Sequence, residues 1–112
     1  MSELSVTFTE EQIAAYAEAS GDRNPIHLDD EFARSVGLPG VIAHGMLQMG
    51  LLARAAGELG SLRRLSCRFL GMVRPGDTVT FRAEERDGGV ELAALNQDGE
   101  PVLSKTVAEL RR

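Results

Sequence analysis

The sequence has few of the residues that form disulfides and metal centres. Its 112 residues include a single cysteine, Cys67, and two histidines, His27 and His44. One cysteine cannot form an intrachain disulfide, so the fold does not depend on oxidation, and a metal site is not predicted without spaced Cys or His ligands. Cys67 lies between Ser66 and Arg68 in a strand-like segment. We interpret it as a small buried residue rather than a catalytic thiol.

Basic clusters and long apolar runs are also missing. The net charge is −5, and the pairs Arg63-Arg64 and Arg111-Arg112 are too small to form a nucleic-acid surface. Arg54 interrupts the most apolar segment, which argues against a membrane span. The start, Met1-Ser2-Glu3, lacks the basic and apolar residues of a secretory signal. We therefore predict a cytoplasmic protein that binds neither nucleic acids nor membranes.

Length and composition favour one globular domain. The chain is 43% hydrophobic and 26% charged, which is ordinary for a soluble protein with a single core. No repeat, linker or low-complexity tract divides it. Residues 1–112 are therefore predicted to form one domain.

The segment with the most distinctive chemistry runs from residue 19 to residue 50. Asp22, Asn24 and His27 lie close together in it, around Pro25. Because proline disfavours helix at itself and at the preceding residue, we predict a turn that brings the Asp22 carboxylate near the His27 imidazole. Such a pair suits general acid–base catalysis. The alternative is that Asp22 and Asn24 only form turn hydrogen bonds and that His27 fills space.

The second half of this segment predicts a long helix. Residues from Val41 to Gly57 include few polar side chains, which indicates a helix buried on nearly all sides. Its first turn would leave backbone N–H groups unpaired and would favour negative charge. Gly45 leaves room there for a ligand, so its N–H could stabilise a carbonyl oxygen that gains negative charge. Tight packing against a sheet is the other explanation of Gly45.

The remaining pattern predicts an α+β fold. A helix begins at Thr9 with a capping box and ends at Gly21, and Asp29 or Asp30 caps a short second helix. A bulge is expected at Gly71. Alternating apolar residues indicate five antiparallel strands, at residues 4–8, 62–73, 79–83, 90–94 and 102–110. This order of elements predicts a curved sheet around the long helix.

Two stretches together resemble a family signature. They are Tyr16-Ala17-x-x-Ser20-Gly21-Asp22-x-Asn24-Pro25-Ile26-His27-x-Asp29 and Ile42-Ala43-His44-Gly45-Met46. They are similar to the signature of the MaoC-like (R)-specific enoyl-thioester hydratases and dehydratases. The resemblance is close over residues 8–50 and looser toward the C terminus. It implies the hot-dog fold, in which an antiparallel sheet of about five strands wraps one long helix.

The resemblance also assigns expected roles to residues. It implies that Asp22 and His27 form a catalytic dyad and that the Gly45 N–H holds the thioester carbonyl. The chain has Ala53 where some members carry a serine near the reacting water. Three further matched positions are expected on the substrate-binding side of the site: Asn24, His44 and Met46.

The implied activity is that of a hydro-lyase. It would add water to a trans-2-enoyl thioester to give an (R)-3-hydroxyacyl thioester, or run the reverse dehydration, without a cofactor or metal. The acyl carrier would be coenzyme A or acyl-carrier protein. Because members of the family form dimers, the resemblance also implies a homodimer. Two alternatives stay open. One is a thioesterase on the same fold; the other is a non-catalytic acyl-thioester-binding subunit or a hetero-oligomeric partner of a dehydratase.

Overall fold

A computed structural model describes residues 1–111 of the chain, so Arg112, at the end of the predicted domain, lies outside the described residues. The elements in chain order are β1 (Ser2–Thr7), α1 (Glu10–Ser20), α2 (Asp30–Ser35), α3 (Gly45–Gly57), β2 (Leu62–Phe69), β3 (Thr78–Arg86), β4 (Gly89–Leu95) and β5 (Leu103–Leu110). This order agrees with the predicted α+β pattern.

The strands pair antiparallel in two hydrogen-bonded groups, β1-β3-β4 and β2-β5. Strand β4 lies beside β5, and the two groups are joined where the Val102 N–H donates to the Ala94 carbonyl at 2.9 Å. A bridge between Leu95 and Pro101 continues this junction. The spatial order is therefore β1-β3-β4-β5-β2, a single curved layer with β1 and β2 at its edges.

Helix α3 supplies the centre of the core. Its residues Leu52, Ala55 and Ala56 are buried against the sheet, where Phe81 is fully buried. Burying an aliphatic or aromatic side chain of this size contributes about 1.5–3 kcal/mol. The fold is thus held mainly by one helix face packed on the concave side of the sheet.

The helix ends follow the predicted capping residues. Thr9 accepts a hydrogen bond from the Gln12 N–H at 3.0 Å, and Asp29 accepts one from the Phe32 N–H at 3.1 Å. Gly21 ends α1 with a φ of +80°, a left-handed conformation that glycine adopts without steric cost. These local signals were sufficient to place α1 and α2.

Helix α3 begins at Gly45, so the predicted start at Val41 is wrong. The N–H groups of residues 41–43 form hydrogen bonds outside the helix instead: with the Asp30 carboxylate at 2.8 Å, the Ile26 carbonyl at 3.1 Å and the Val73 carbonyl at 2.7 Å. Apolar composition does not distinguish such a threaded segment from a first helical turn.

The expected burial of α3 on nearly all sides is also wrong. Met46 is 58% exposed, and Gly50, Arg54 and Gly57 continue an exposed stripe along the same helix. Residues four apart share one helix face, so this stripe is one side of the 13-residue helix. Within the described residues, no helix has the length and apolarity needed to cross a membrane.

Strand β2 differs from its prediction in two ways. It ends at Phe69, and its register shifts occur between Leu62 and Arg64 and between Ser66 and Arg68, so the bulge predicted at Gly71 is wrong. The chain leaves the regular ladder after Phe69, since the next two N–H groups both reach the Val102 carbonyl.

Cys67 lies on β2 and is only partly buried, against the edge of the core. Its burial is less complete than predicted. Desolvation still raises the pKa of the Cys67 thiol above its ordinary value, because burial disfavours the charged thiolate. This environment does not activate the thiol as a nucleophile.

Candidate active site

A short series of hydrogen bonds shapes the loop after α1. The Ser20 hydroxyl accepts from the Asp22 N–H at 3.1 Å, the Asp22 carboxylate accepts from the Asn24 N–H at 3.3 Å, and the Asn24 side chain accepts from the Ile26 N–H at 3.2 Å. The chain then closes a 3₁₀ turn that ends at His27. The turn hydrogen bonds considered as an alternative are therefore present, and they also fold His27 back toward Asp22. Asn24 acts on the turn itself.

The orientation of His27 is set by one main-chain atom. Its Nδ1 lies 2.7 Å from the Ile42 carbonyl oxygen. A carbonyl oxygen only accepts, so Nδ1 donates and the neutral ring keeps its lone pair on Nε2. His27 is partly buried. A ring held in this tautomer presents Nε2 as a proton acceptor.

His44 lies directly against His27. The two rings stack with centroids 3.7 Å apart and planes 20° apart, and Tyr16 meets the His44 ring edge-on at 4.7 Å. The His44 Nε2 is 2.9 Å from the Asp22 carbonyl oxygen, to which it donates. His44 is 1% exposed, so a direct contact with substrate, as expected from the resemblance, does not fit its burial.

The three polar side chains converge. A carboxylate oxygen of Asp22 and a ring nitrogen each of His27 and His44 all lie within 4.8 Å of one another. Asp22 is exposed, and among the described residues its carboxylate has no direct hydrogen bond to His27. A separation of this size admits one water with hydrogen bonds to both the carboxylate and the imidazole.

The geometry of the same three groups does not fit a metal site. A ring nitrogen binds a metal along its lone pair, which lies in the ring plane, at about 2.0–2.1 Å for zinc. The planes of His27 and His44 are nearly parallel and the rings are stacked, so their lone pairs cannot meet at one ion. The arrangement favours acid–base chemistry.

Gly45 is the first residue of α3. His44 occupies the position before it and makes no side-chain cap, and the Gly45 N–H has no acceptor among residues 1–111. A Cβ built on Gly45 would lie 3.0 Å from the ring of Phe69. The exposed ring of Phe69, a residue of β2, would have to shift to accept a Cβ at this position, so close packing against a strand of the sheet, the other explanation of Gly45, also applies. Met46 follows at the exposed surface.

His27 also lines a cavity of about 360 Å³. Three acidic residues, Glu10, Glu11 and Asp30, line the same cavity. Negative charge in this opening favours water and disfavours the phosphates of an acyl carrier. The cavity therefore suits water access to His27.

Sequence reasoning missed two contributors to this geometry and undervalued a third. The Ile42 carbonyl and the Phe69 ring reach the site through pairings that no local spacing reveals. Tyr16 was given no role beyond its match to the signature, yet its ring contacts His44. Its place in the first signature stretch was the available signal.

Comparison with known proteins agrees with the fold. Residues 1–100 match the family model described as "MaoC like domain". The chain belongs to this family. A solved structure similar to this MaoC-like chain is the (R)-hydratase from A. caviae involved in PHA biosynthesis, which is 28% identical with a TM-score of 0.81 over 97% of this chain and 92% of that one. The predicted hot-dog fold is thereby confirmed.

Two curated relatives are longer than this MaoC-like chain. The peroxisomal hydratase-dehydrogenase-epimerase of Neurospora crassa is 37% identical over 109 residues, 96% of this chain and 12% of that protein. The 3-hydroxyacyl-thioester dehydratase X of Mycobacterium tuberculosis is 38% identical over 104 residues, 91% of this chain and 37% of that protein. The chain thus spans between about a tenth and two fifths of these relatives.

Proposed function

We propose that the protein is a hydro-lyase that adds water to trans-2-enoyl thioesters or catalyses the reverse dehydration. The observation that carries this proposal is the meeting of the Asp22 carboxylate with the His27 imidazole, whose Nε2 is left free by the Ile42 contact. Relatives named as a hydratase and as a dehydratase support the reaction class. The (R) configuration is proposed from the similarity to the A. caviae (R)-hydratase.

The proposed step uses one water between Asp22 and His27. His27 Nε2 takes a proton from the water, its oxygen bonds to C3 of the enoyl group, and the C2–C3 double-bond electrons move onto the thioester as an enolate. The Gly45 N–H holds the enolate oxygen. The protonated dyad then returns a proton to C2, so that the elements of water are added and the enzyme is restored.

Both parts of the site are needed on energetic grounds. A positioned acid or base contributes about 10²–10⁴-fold to the rate, and one donor to a developing oxyanion contributes about 10²–10³-fold. The thioester itself makes the C2 proton acidic, so this mechanism requires no organic cofactor. Asp22 orients the water and balances the charge that His27 gains.

Association with a second chain forms part of the proposal. Where the chain leaves β2, three apolar side chains are 54–57% exposed: Phe69, Leu70 and Met72. Exposed apolar surface of this kind favours association. We propose a homodimer. The alternative is a hetero-oligomer with a related dehydratase subunit. Light scattering on the purified protein measures which mass is present. A monomer at micromolar concentration would contradict the dimer.

The sequence supports three further proposals, on domain organisation, acyl carrier and location. We propose that the chain acts as one domain, that the acyl carrier is coenzyme A or acyl-carrier protein, and that the protein works in the cytoplasm. A fluorescent fusion tests the location directly. The Neurospora crassa relative is named as peroxisomal, so the fusion should be compared with a peroxisomal marker.

Product analysis tests the reaction class. Purified protein is incubated with crotonyl-CoA, and the products are measured by mass spectrometry, by chiral separation and by a free-thiol assay. The proposal predicts (R)-3-hydroxybutyryl-CoA without release of free thiol. Free coenzyme A as the main product would instead identify a thioesterase. No product from folded protein across short and long acyl chains would support a non-catalytic subunit.

A further inference from the structure

We infer that His44 is a positioning residue that holds the Asp22 loop, the His27 ring and the start of α3 in one arrangement. The inference rests on the proposed function, because it assigns His44 a role in the same reaction. It replaces direct substrate contact, which the burial of His44 does not allow.

The first support is the bond from His44 to the main chain of Asp22. Asp22 follows Gly21 in an exposed loop, where its other hydrogen bonds, to Ser20 and Asn24, stay within the loop. The His44 Nε2–H donates to its carbonyl oxygen at 2.9 Å, and a buried donor of this kind anchors the loop to the protein interior. Loss of the bond would remove this anchor, so the loop and its carboxylate could shift away from the proposed water.

The second support is the stacked pair of rings. One edge of His27 is held by the Ile42 carbonyl at 2.7 Å, and one face is covered by His44 at 3.7 Å. Rotation of the His27 ring about its side-chain bond would break the first contact and clash with the second. The two contacts together fix the direction of Nε2.

The third support is the place of His44 at the start of α3. Helix starts favour Ser, Thr, Asp or Asn, whose side chains bond to the N–H groups of the first turn. His44 occupies this position in an extended conformation and makes no such bond. Its side chain contacts Asp22 instead, and the first turn beside Gly45 keeps its positive end open for a thioester oxygen.

Packing by itself does not account for a histidine at this position. The His44 Nδ1 is buried and has no hydrogen-bond partner among the described residues. A buried nitrogen without a partner is unfavourable, and an apolar ring of similar size would avoid that cost. The hydrogen bond from the His44 Nε2–H to the Asp22 carbonyl therefore explains why a histidine occupies this position.

Two variants separate the two contacts of His44. His44→Phe keeps a stacking ring and removes the donor to Asp22, whereas His44→Gln keeps a donor at a similar reach and removes the ring. We expect each to lower kcat for crotonyl-CoA by about tenfold or more, with KM changed less than threefold, because substrate binding is not the affected step. Asp22→Asn combined with His44→Phe should lose little more than Asp22→Asn alone.

Nitrogen-15 NMR of the imidazoles gives a readout that does not require turnover. The chain has only two histidines, so both rings are assigned from single variants. We expect the Nδ1–H tautomer for His27 and the Nε2–H tautomer for His44 in the wild type, and a mixture of tautomers for His27 in His44→Gln.

The outcomes separate this inference from the proposed function. Wild-type kcat in folded His44→Phe and His44→Gln, with Asp22→Asn and His27→Ala inactive, would overturn the role of His44 and leave the dyad standing. Full activity in Asp22→Asn or His27→Ala would overturn the dyad first. An Nδ1–H tautomer for His44 in the wild type would overturn the inference whatever the kcat of the variants.

Discussion

The Nδ1 of His27 donates a hydrogen bond to the main-chain carbonyl of Ile42 at 2.7 Å. Ile42 precedes α3 by only a few residues, so the bond links the loop that carries Asp22 to the segment that leads to Gly45. It leaves Nε2 as the free nitrogen of the neutral ring. The loop that carries the proposed acid–base pair is therefore joined to the segment that leads to Gly45, the proposed oxyanion donor.

Gly45→Ala should strongly impair catalysis. The added Cβ would meet the Phe69 ring at 3.0 Å and would occupy the space next to the N–H. Alanine keeps the backbone N–H, so the effect comes from restricted approach of the thioester oxygen to it. We expect a loss of up to about 10²–10³-fold in kcat/KM for crotonyl-CoA, the magnitude of one oxyanion donor.

Gly50→Ala is the matched control in the same helix. A Cβ at Gly50 meets nothing within 4 Å, and Ala is about 1 kcal/mol more favourable than Gly inside a helix. Its activity should be unchanged and its thermal midpoint raised. If Gly45→Ala combined with Phe69→Ala is as active as Phe69→Ala alone, steric pressure from the ring, rather than blocked access to the N–H, would be the cause.

Phe69→Ala should weaken substrate binding with little effect on folding. The ring is 54% exposed and lies against Gly45, where the acyl thioester is proposed to enter. We expect KM for crotonyl-CoA to rise several-fold while kcat changes less. Val107→Ala, on the neighbouring strand and 44% exposed, is the control for a general surface effect. Equal KM values in both variants and the wild type would remove Phe69 from the substrate path.

Ala53→Ser restores the side chain that some family members carry. Ala53 lies in α3 with partial exposure, so a hydroxyl fits without burying an unpaired polar group. We expect kcat to rise by a few-fold if this position contacts the reacting water, measured with crotonyl-CoA at saturation. An unchanged or lower kcat would show that the hydroxyl is not needed in this chain.

Cys67 should be unreactive and dispensable. Burial raises the pKa of its thiol, so the reactive thiolate forms at a higher pH than in an exposed cysteine. Alkylation by iodoacetamide in the native protein should therefore be slow at pH 7 and accelerate at higher pH than for a free cysteine. Cys67→Ser should keep wild-type turnover, and a large loss of kcat would indicate a catalytic thiol.

The parts of the fold that sequence reasoning placed correctly depend on local chemistry. Pro25 and the Asx residues before it predict a turn, and the turn is present because Asn24 bonds to the next N–H groups within a few residues. Gly21 similarly ends α1 through a local contact, because its N–H bonds to the Ala17 carbonyl four residues earlier. Such signals need no knowledge of distant contacts.

The parts that sequence reasoning missed depend on long-range pairing. The start of α3 was misplaced because the N–H groups of residues 41–43 bond to distant acceptors. The contact between Phe69 and Gly45 was not predicted, because the two residues lie on separate elements, β2 and α3, that meet only through tertiary packing. His44 was assigned to substrate because the signature gives its position and not its burial.

The measurement to make first is hydration of crotonyl-CoA, followed by loss of the enoyl-thioester absorbance, in the wild type and in Asp22→Asn and His27→Ala. Asp98→Asn, an acidic-to-amide change on an exposed turn, is the matched control. We predict turnover in the wild type and in Asp98→Asn, with a loss of about 10²-fold or more in each dyad variant. Turnover that survives either dyad substitution would contradict catalysis by Asp22 and His27.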